Sequence, residues 1–344
     1  MEGGIDIRKE LYVKARTITD QLVKYLTDAH SIEVQALAQL RTAPLIAGSS
    51  RMASAFRSHL AETEEHEQMV RARLHDLGAS RSLVKDVVMA AGGKGFVLFA
   101  RSQPDTPGKL LAHAYSYEHL ELASYTLLER VADAAGDAET AAVARRIAGD
   151  EKGMGERLAG CLDEAVTASV GGDIAGRGIE RRLVAYLADA HAIETQSVAL
   201  LERAIRRTED PIFAGVYRGH LDESRSHARA AEDRLAAHGA GRSVFKDAAM
   251  RMGGAGWAGF FGAHPDTPAK LAAFVFAFEH LEIGGYELLS RVAARAGDGP
   301  TVEACGRILA QEREAARVVE GLFGRAVDTS LGSMAATPVA AAER

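Results

Sequence analysis

A single shift of 161 residues lays the second half of this chain over the first without a gap. Tyr25-Leu26-Thr27-Asp28-Ala29-His30 returns as Tyr186-Leu187-Ala188-Asp189-Ala190-His191, Pro104-Asp105-Thr106-Pro107 as Pro265-Asp266-Thr267-Pro268, and Ala135-Gly136-Asp137 as Ala296-Gly297-Asp298. A period this long is the duplication of a domain, not a solenoid of short units. The expected division is an N-terminal segment at 1–17, a first bundle at 18–168, a Gly-bearing linker at 169–178, a second bundle at 179–329 and a loose tail at 330–344.

The residues available favour helices. Hydrophobic residues make up 47% and aromatics only 6%, with 8 prolines, and Ala, Leu, Glu and Arg dominate. Four long apolar-periodic stretches occur per copy, near 18–41, 49–77, 107–135 and 138–165 in the first. Thr106-Pro107, Asp210-Pro211 and Gly299-Pro300 mark starts. Short connections join the first helix to the second and the third to the fourth, so each pair is expected to be antiparallel. About 28 residues separate the second from the third, with a short helix expected at Ser82 to Ala91. One long crossover in the middle of a four-helix bundle is the ferritin-like arrangement. The expectation is therefore an all-α chain of two tandem ferritin-like four-helix bundles.

A formal charge of −6 without a Lys/Arg block argues against nucleic acid as a partner. The most apolar run, Gly254 to Ala263, is too short to span a bilayer, so no membrane partner is expected. Two cysteines far apart, Cys161 and Cys305, fit a reducing cytoplasm.

The chemistry lies on the helix faces that should be buried. Helix one carries His30 and Glu33, helix two His59, Glu62 and His66, helix three Glu118 and Glu121, and helix four Glu151. The second copy offers His191, Glu194, His220, Glu223, His227, Glu279, Glu282 and Glu312. Spacings of three and four keep these side chains on the inward stripe with Leu26, Phe56, Leu111, Tyr125 and Leu158. An uncompensated buried charge costs several kcal/mol, and a domain is stable by only about 5–15 kcal/mol. Five inward carboxylates per bundle must therefore be protonated, hydrated or bound to cations. The nearest basic residue on a stripe, Arg73, stands about three turns beyond Glu62. A single glutamate on a helix is usually just solvated; four carboxylate-bearing stripes repeated at one spacing favour a dinuclear metal site. Oxygen ligands with some imidazole suit iron, or manganese. The expected ligands are His30, Glu33, His59, Glu62, Glu118, Glu121 and Glu151, with His191, Glu194, His220, Glu223, Glu279, Glu282 and Glu312 in the second repeat. His66 and His227 stand either as ligands or as supports of ligands. His119 and His280 should point off the stripe, Tyr25, Tyr125 and their copies read as core with bonding to the ligands as the lesser alternative, Met154 reads as packing, and His75, His113, His238 and His264 read as surface.

At Asp28-Ala29-His30-x-x-Glu33, His59-Leu60-x-Glu62-Thr63, Ser80-Arg81-Ser82-x-x-Lys85-Asp86, Glu118-x-x-Glu121 with Tyr125, and Glu151-Lys152, the chain resembles the YciE/YciF type of ferritin-like bacterial proteins across nearly all of both repeats. The Glu-x-x-Glu of helix three is also similar to that of rubrerythrin. The resemblance implies a metal site between the four helices, a tie to bacterial stress responses, and pairing of domains. A tandem chain would then be an intramolecular pseudo-dimer, with further homo-oligomerisation open. Helix four departs from the usual Glu-x-x-His, since Met154 and Ala315 hold the i+3 positions. Two functions follow as expectations: a di-iron protein reacting with dioxygen or peroxide or oxidising ferrous iron, and a non-catalytic helical protein that metal stabilises and a partner binds.

Overall fold

The structure, a computed structural model, describes residues 17–79, 106–171, 177–241 and 268–332; the short helix at 82–91, the stretches at 95–99 and 254–263, His264 and residues 333–344 of the tail lie outside them. The described residues form helices and turns without strands. The first repeat has α1 (Ile18–Leu40), α2 (Ser50–Asp76), α3 (Thr106–Ala135), α4 (Ala138–Ala159) and α5 (Leu162–Val170). The second has α6 (Arg177–Arg207), α7 (Pro211–Ala237), α8 (Pro268–Ala296), α9 (Gly299–Gly321) and α10 (Phe323–Gly332). The chain is all-α, two tandem four-helix bundles, and no described helix is long and apolar enough to cross a membrane.

Local chemistry sets the helix ends. Thr17 and Asp20 close a reciprocal capping box on α1, and Ser49, Asp137, Asp210 and Asp298 cap α2, α4, α7 and α9 through their side chains. Gly136 and Gly297 take φ of 74° and 73° in the tight turns that fold α4 back on α3 and α9 on α8. Two boundaries differ from the sequence pattern. The fourth helix does not run unbroken to 165; it stops at Gly160, and α5 resumes at Leu162 and packs across α3 and α8. The first helices of the two copies differ because Pro44 falls where the second copy has Ile205. Proline cannot continue a helix, so a 3₁₀ turn at Ala43–Leu45 follows α1, whereas α6 continues to Arg207.

The repeats pack through α3 and α8 about a pseudo-twofold axis. The Ser116 hydroxyl donates to the carbonyl of Ala277, its own counterpart 161 residues on. His119 stacks on its counterpart His280, with ring centroids 3.6 Å apart and planes 15° apart. Each ring donates from Nδ1 to the carbonyl one turn before it, Tyr115 or Phe276. Further out, Lys109 pairs with Asp189 at 2.6 Å, and Lys270 pairs reciprocally with Asp28. Reciprocal contacts of this kind define an isologous interface. α4 passes close over the stacked rings because residue 155 is glycine; a Cβ there would sit 3.0 Å from His119 Cε1.

Candidate metal centre

On α2 the fully buried polar positions are His59, Thr63 and His66, and on the other helices of the first bundle they include Glu33, Glu118, Glu121 and Glu151. Packing α1 to α4 around one axis converges these side chains into two groups that share a member. His59, Glu118, Glu121 and Glu151 form one, and Glu33, His66 and Glu151 the other, with the atoms of each group within 4.8 Å of one another. The second bundle repeats both: His220, Glu279, Glu282 and Glu312, then Glu194, His227 and Glu312. Every member is buried, and each group could hold a metal ion.

The imidazoles are oriented by their outer nitrogens. Nδ1 of His59 meets Glu62 at 2.9 Å, leaving Nε2 aimed at Glu118 (2.9 Å) and Glu151 (3.2 Å). Nε2 of His66 meets Asp150 at 3.2 Å, leaving Nδ1 facing Glu151 at 2.9 Å and Glu33 at 4.0 Å. In the second repeat, His220 turns Nδ1 to Glu223 (3.3 Å) and Nε2 to Glu279 (2.8 Å), while His227 bonds Gln311 with Nε2 at 3.0 Å and faces Glu312 with Nδ1 at 2.7 Å. Outward carboxylate or amide, inward lone pair is the arrangement of metal-ligating histidines. Asp150 and Gln311 were not foreseen; their only sequence signal is that each directly precedes the fourth-helix glutamate. Thr63 and Ser224 return their hydroxyls to the carbonyls of His59 and His220. Tyr125, read as core with bonding to a ligand as the lesser alternative, takes that alternative and donates its hydroxyl to Glu33, and Tyr286 donates to Glu194 at 2.7 Å.

The inward atoms are close without being hydrogen bonded. His59 Nε2, His66 Nδ1, Glu118 Oε2 and both oxygens of Glu121 and of Glu151 have no partner in hydrogen-bond geometry, and the same atoms are orphaned in the second repeat. Buried polar groups are almost always satisfied, and here the lone pairs point into shared space. Burial and the Glu151 charge raise the Glu33 carboxyl to about 8. Burial lifts Glu118 to about 7 despite His59 beside it, and Glu279 to about 8. Burial and the neighbouring carboxylates push Glu121 and Glu282 well above the usual range. Burial opposes charge on His227, but Glu194 and Glu312 hold the ring up at about 10. Protons are thus drawn to the places a cation would take. Four carboxylates and two imidazoles per repeat match the charge of two divalent ions. The residues present fit a metal.

The expected ligands separate into two sets. Glu33, His59, Glu118, Glu121 and Glu151, with Glu194, His220, Glu279, Glu282 and Glu312, are brought together. His30, Glu62, His191 and Glu223 lie outside the groups, and His66 and His227 lie inside them. Glu62 is three residues beyond His59, hence about 60° short of a full turn, and it leaves the buried stripe to meet Arg157 at 2.5 Å. His30 is buried but turns Nε2 to Glu67 at 2.9 Å, and His191 is buried too. Arg73 is committed elsewhere, to Asp137 at 3.1 Å and Thr140. Among the histidines read as surface, His75 is exposed, whereas His238 is half-buried against Asp298 and His113 is half-buried as well.

Comparison with known families places this architecture. The chain matches the family described as Domain of unknown function (DUF892) twice, over residues 17–171 and 179–331. It belongs to that family. No solved structure matches the chain. The family is of ferritin-like type, in keeping with the two bundles and their buried Glu/His groups.

Proposed function

We propose that each repeat is a dinuclear metal-carboxylate centre, iron foremost with manganese as the alternative, serving stress protection as in the YciE/YciF-type bacterial proteins the sequence resembles. Glu151, common to both groups, would help hold both ions, with His59, Glu118 and Glu121 for one and Glu33 and His66 for the other; Glu312, His220, Glu279, Glu282, Glu194 and His227 would do the same in the second repeat. Glu62, Glu223, Asp150 and Gln311 would orient the rings. The observation that carries the reading is that buried imidazole and carboxylate lone pairs converge without hydrogen-bond geometry while the far ring nitrogens are held by outer partners. Such ions, when bound, supply one-electron chemistry toward dioxygen or peroxide, or toward ferrous iron arriving as substrate.

The chain's own residues would do the rest. The helices exclude water from the carboxylates, and Tyr125 and Tyr286 keep a proton on a hydroxyl in contact with Glu33 and Glu194. Burial and Glu33 hold the Tyr125 proton far more tightly than in water, so the hydroxyl serves as a fixed donor. The two cysteines, both free and buried in separate repeats, support a reducing, cytoplasmic setting. The test is optical: iron-loaded, reduced protein should change its absorbance within seconds of peroxide addition. Metal that binds stoichiometrically but stays inert to peroxide, dioxygen and ferrous iron would leave a structural centre instead.

A further inference from the structure

Each bundle offers two unequal places for a cation. His59, Glu118, Glu121 and Glu151 surround the first with four side chains, whereas Glu33, His66 and Glu151 give the second only three. The hold on an ion at the second place therefore depends more on the quality of each donor. Its imidazole is backed by different chemistry in the two repeats. His66 faces Glu151 with Nδ1 at 2.9 Å and turns Nε2 to the Asp150 carboxylate at 3.2 Å. His227 faces Glu312 and Glu194 with Nδ1, at 2.7 and 3.5 Å, and turns Nε2 to the Gln311 amide oxygen at 3.0 Å. A ring that gives its Nδ1 lone pair to an ion keeps its proton on Nε2, and the outer partner accepts that proton in a hydrogen bond. An acceptor that carries a full charge makes the inner nitrogen more basic and adds attraction for a cation; a neutral amide orients the ring and does little more.

The other supports are matched. Behind the first ring both repeats keep a carboxylate, Glu62 at 2.9 Å and Glu223 at 3.3 Å. The glutamate of the second place has its tyrosine in both. The exchange of Asp150 for Gln311 thus falls on one place of the four. We propose that Gln311, as a positioning residue acting through His227, makes the place formed by Glu194, His227 and Glu312 the one that releases a divalent cation readily. The first repeat would then retain both of its ions, and the second would pass one in and out as a substrate. This rests on the metal reading above. Loss of an outer partner typically costs about ten- to a hundredfold in metal affinity, and since the Asp150 side chain is 41% exposed, the expected factor is about tenfold.

Manganese(II) is the probe, its free concentration read from its electron paramagnetic resonance signal. Glu312→Ala confines filling to the first repeat and Glu151→Ala to the second, so two full-length chains report one centre each. The weaker of the two binding steps should lie about tenfold lower in affinity in the Glu151→Ala chain. Gln311→Asp added there should recover that factor. Asp150→Asn added to the Glu312→Ala chain should lose it, whereas Asp150→Glu should keep most of it. The tighter step of each chain should stay where it is in all of these, which separates a change behind one ring from a general loosening of the bundle. Equal weaker steps in the two chains, or a weaker step that neither exchange moves, would overturn the proposal and leave the centres standing. A wild-type chain that takes up neither manganese nor, under anaerobic ultrafiltration, ferrous iron would overturn the metal reading and this proposal with it.

Discussion

The two repeats are alike where charge is buried and unlike where the buried charge meets solvent. All six inward groups of the first bundle recur in the second, with the tyrosine that holds the α1 or α6 glutamate. Around them four positions differ: Met154 becomes Ala315, Arg157 over Glu62 becomes Val318, Phe56 becomes Tyr217, and Asp150 behind the second imidazole becomes Gln311. A cluster of carboxylates in a core tolerates little change, because loss of one partner strands the others without compensation. A mouth can change freely, since an exposed or half-exposed ion pair contributes only about 0–1 kcal/mol. The duplication thus preserves the centre while freeing the approach to it.

The largest expected effect falls on the shared glutamate. Glu151→Ala should strip metal from the first repeat and Glu312→Ala from the second, each halving the metal bound per chain. With metal at one hundred times its Kd, the affected repeat should also lose about 2.7 kcal/mol of apparent stability for each ion released. Equal losses would confirm that the centres are alike; unequal ones would sharpen the comparison toward Asp150 and Gln311, the outer partners that differ.

Next in size is the pH response of the metal-free chain. Glu33, Glu118 and Glu279 are raised to about 8, 7 and 8 by burial, and His227 is held near 10. The folded state therefore binds more protons than the unfolded one between the ordinary carboxylate range and these values. Stability is fully present below about pH 4.5 for the carboxylates and is lost as pH rises toward 8, and the histidine contribution fades between about 6.5 and 10. Metal-loaded protein should behave oppositely, because the ions displace those protons and bind more tightly as pH rises. Denaturant midpoints measured at pH 5.5, 7 and 8.5 with and without metal check both signs; parallel curves would break the account.

Smaller effects separate centre from mouth. Tyr125→Phe and Tyr286→Phe should each cost about 1–3 kcal/mol by leaving Glu33 or Glu194 without its donor, and equally in the two repeats. Arg157→Val should change stability by less than about 1 kcal/mol, yet speed the removal of metal from the first repeat by a chelator toward the rate of the second. Stopped-flow chelation gives that comparison directly, and identical rates in wild-type repeats would remove the distinction between the mouths.

Much of this was legible in the sequence for a simple reason. The repeat, the four helices per bundle and Glu118-x-x-Glu121 are local patterns, and a period of 3.6 residues assigns them a face. What was not legible depends on how far each helix is rolled toward its neighbours. Glu62 and His66 both lie within a turn of the stripe centre, and only the packing of α2 shows that His66 faces inward while Glu62 turns to Arg157. His30 looks equivalent to Glu33 in spacing, but Glu67 on α2 draws its ring to the flank, and the second copy has Ala228 at that place. The bond from Tyr125 to Glu33 spans 92 residues, beyond the reach of any helical periodicity.

The central claim is tested most directly by elemental analysis of the full-length protein from iron- and manganese-supplemented cells, beside Glu151→Ala, Glu312→Ala and the double variant. Two divalent ions per repeat, the dinuclear case, predict about four per wild-type chain, about two in either single variant and none in the double. A wild-type chain that folds with the same stability and holds no metal would contradict it, and would mean that protons alone satisfy the buried carboxylates.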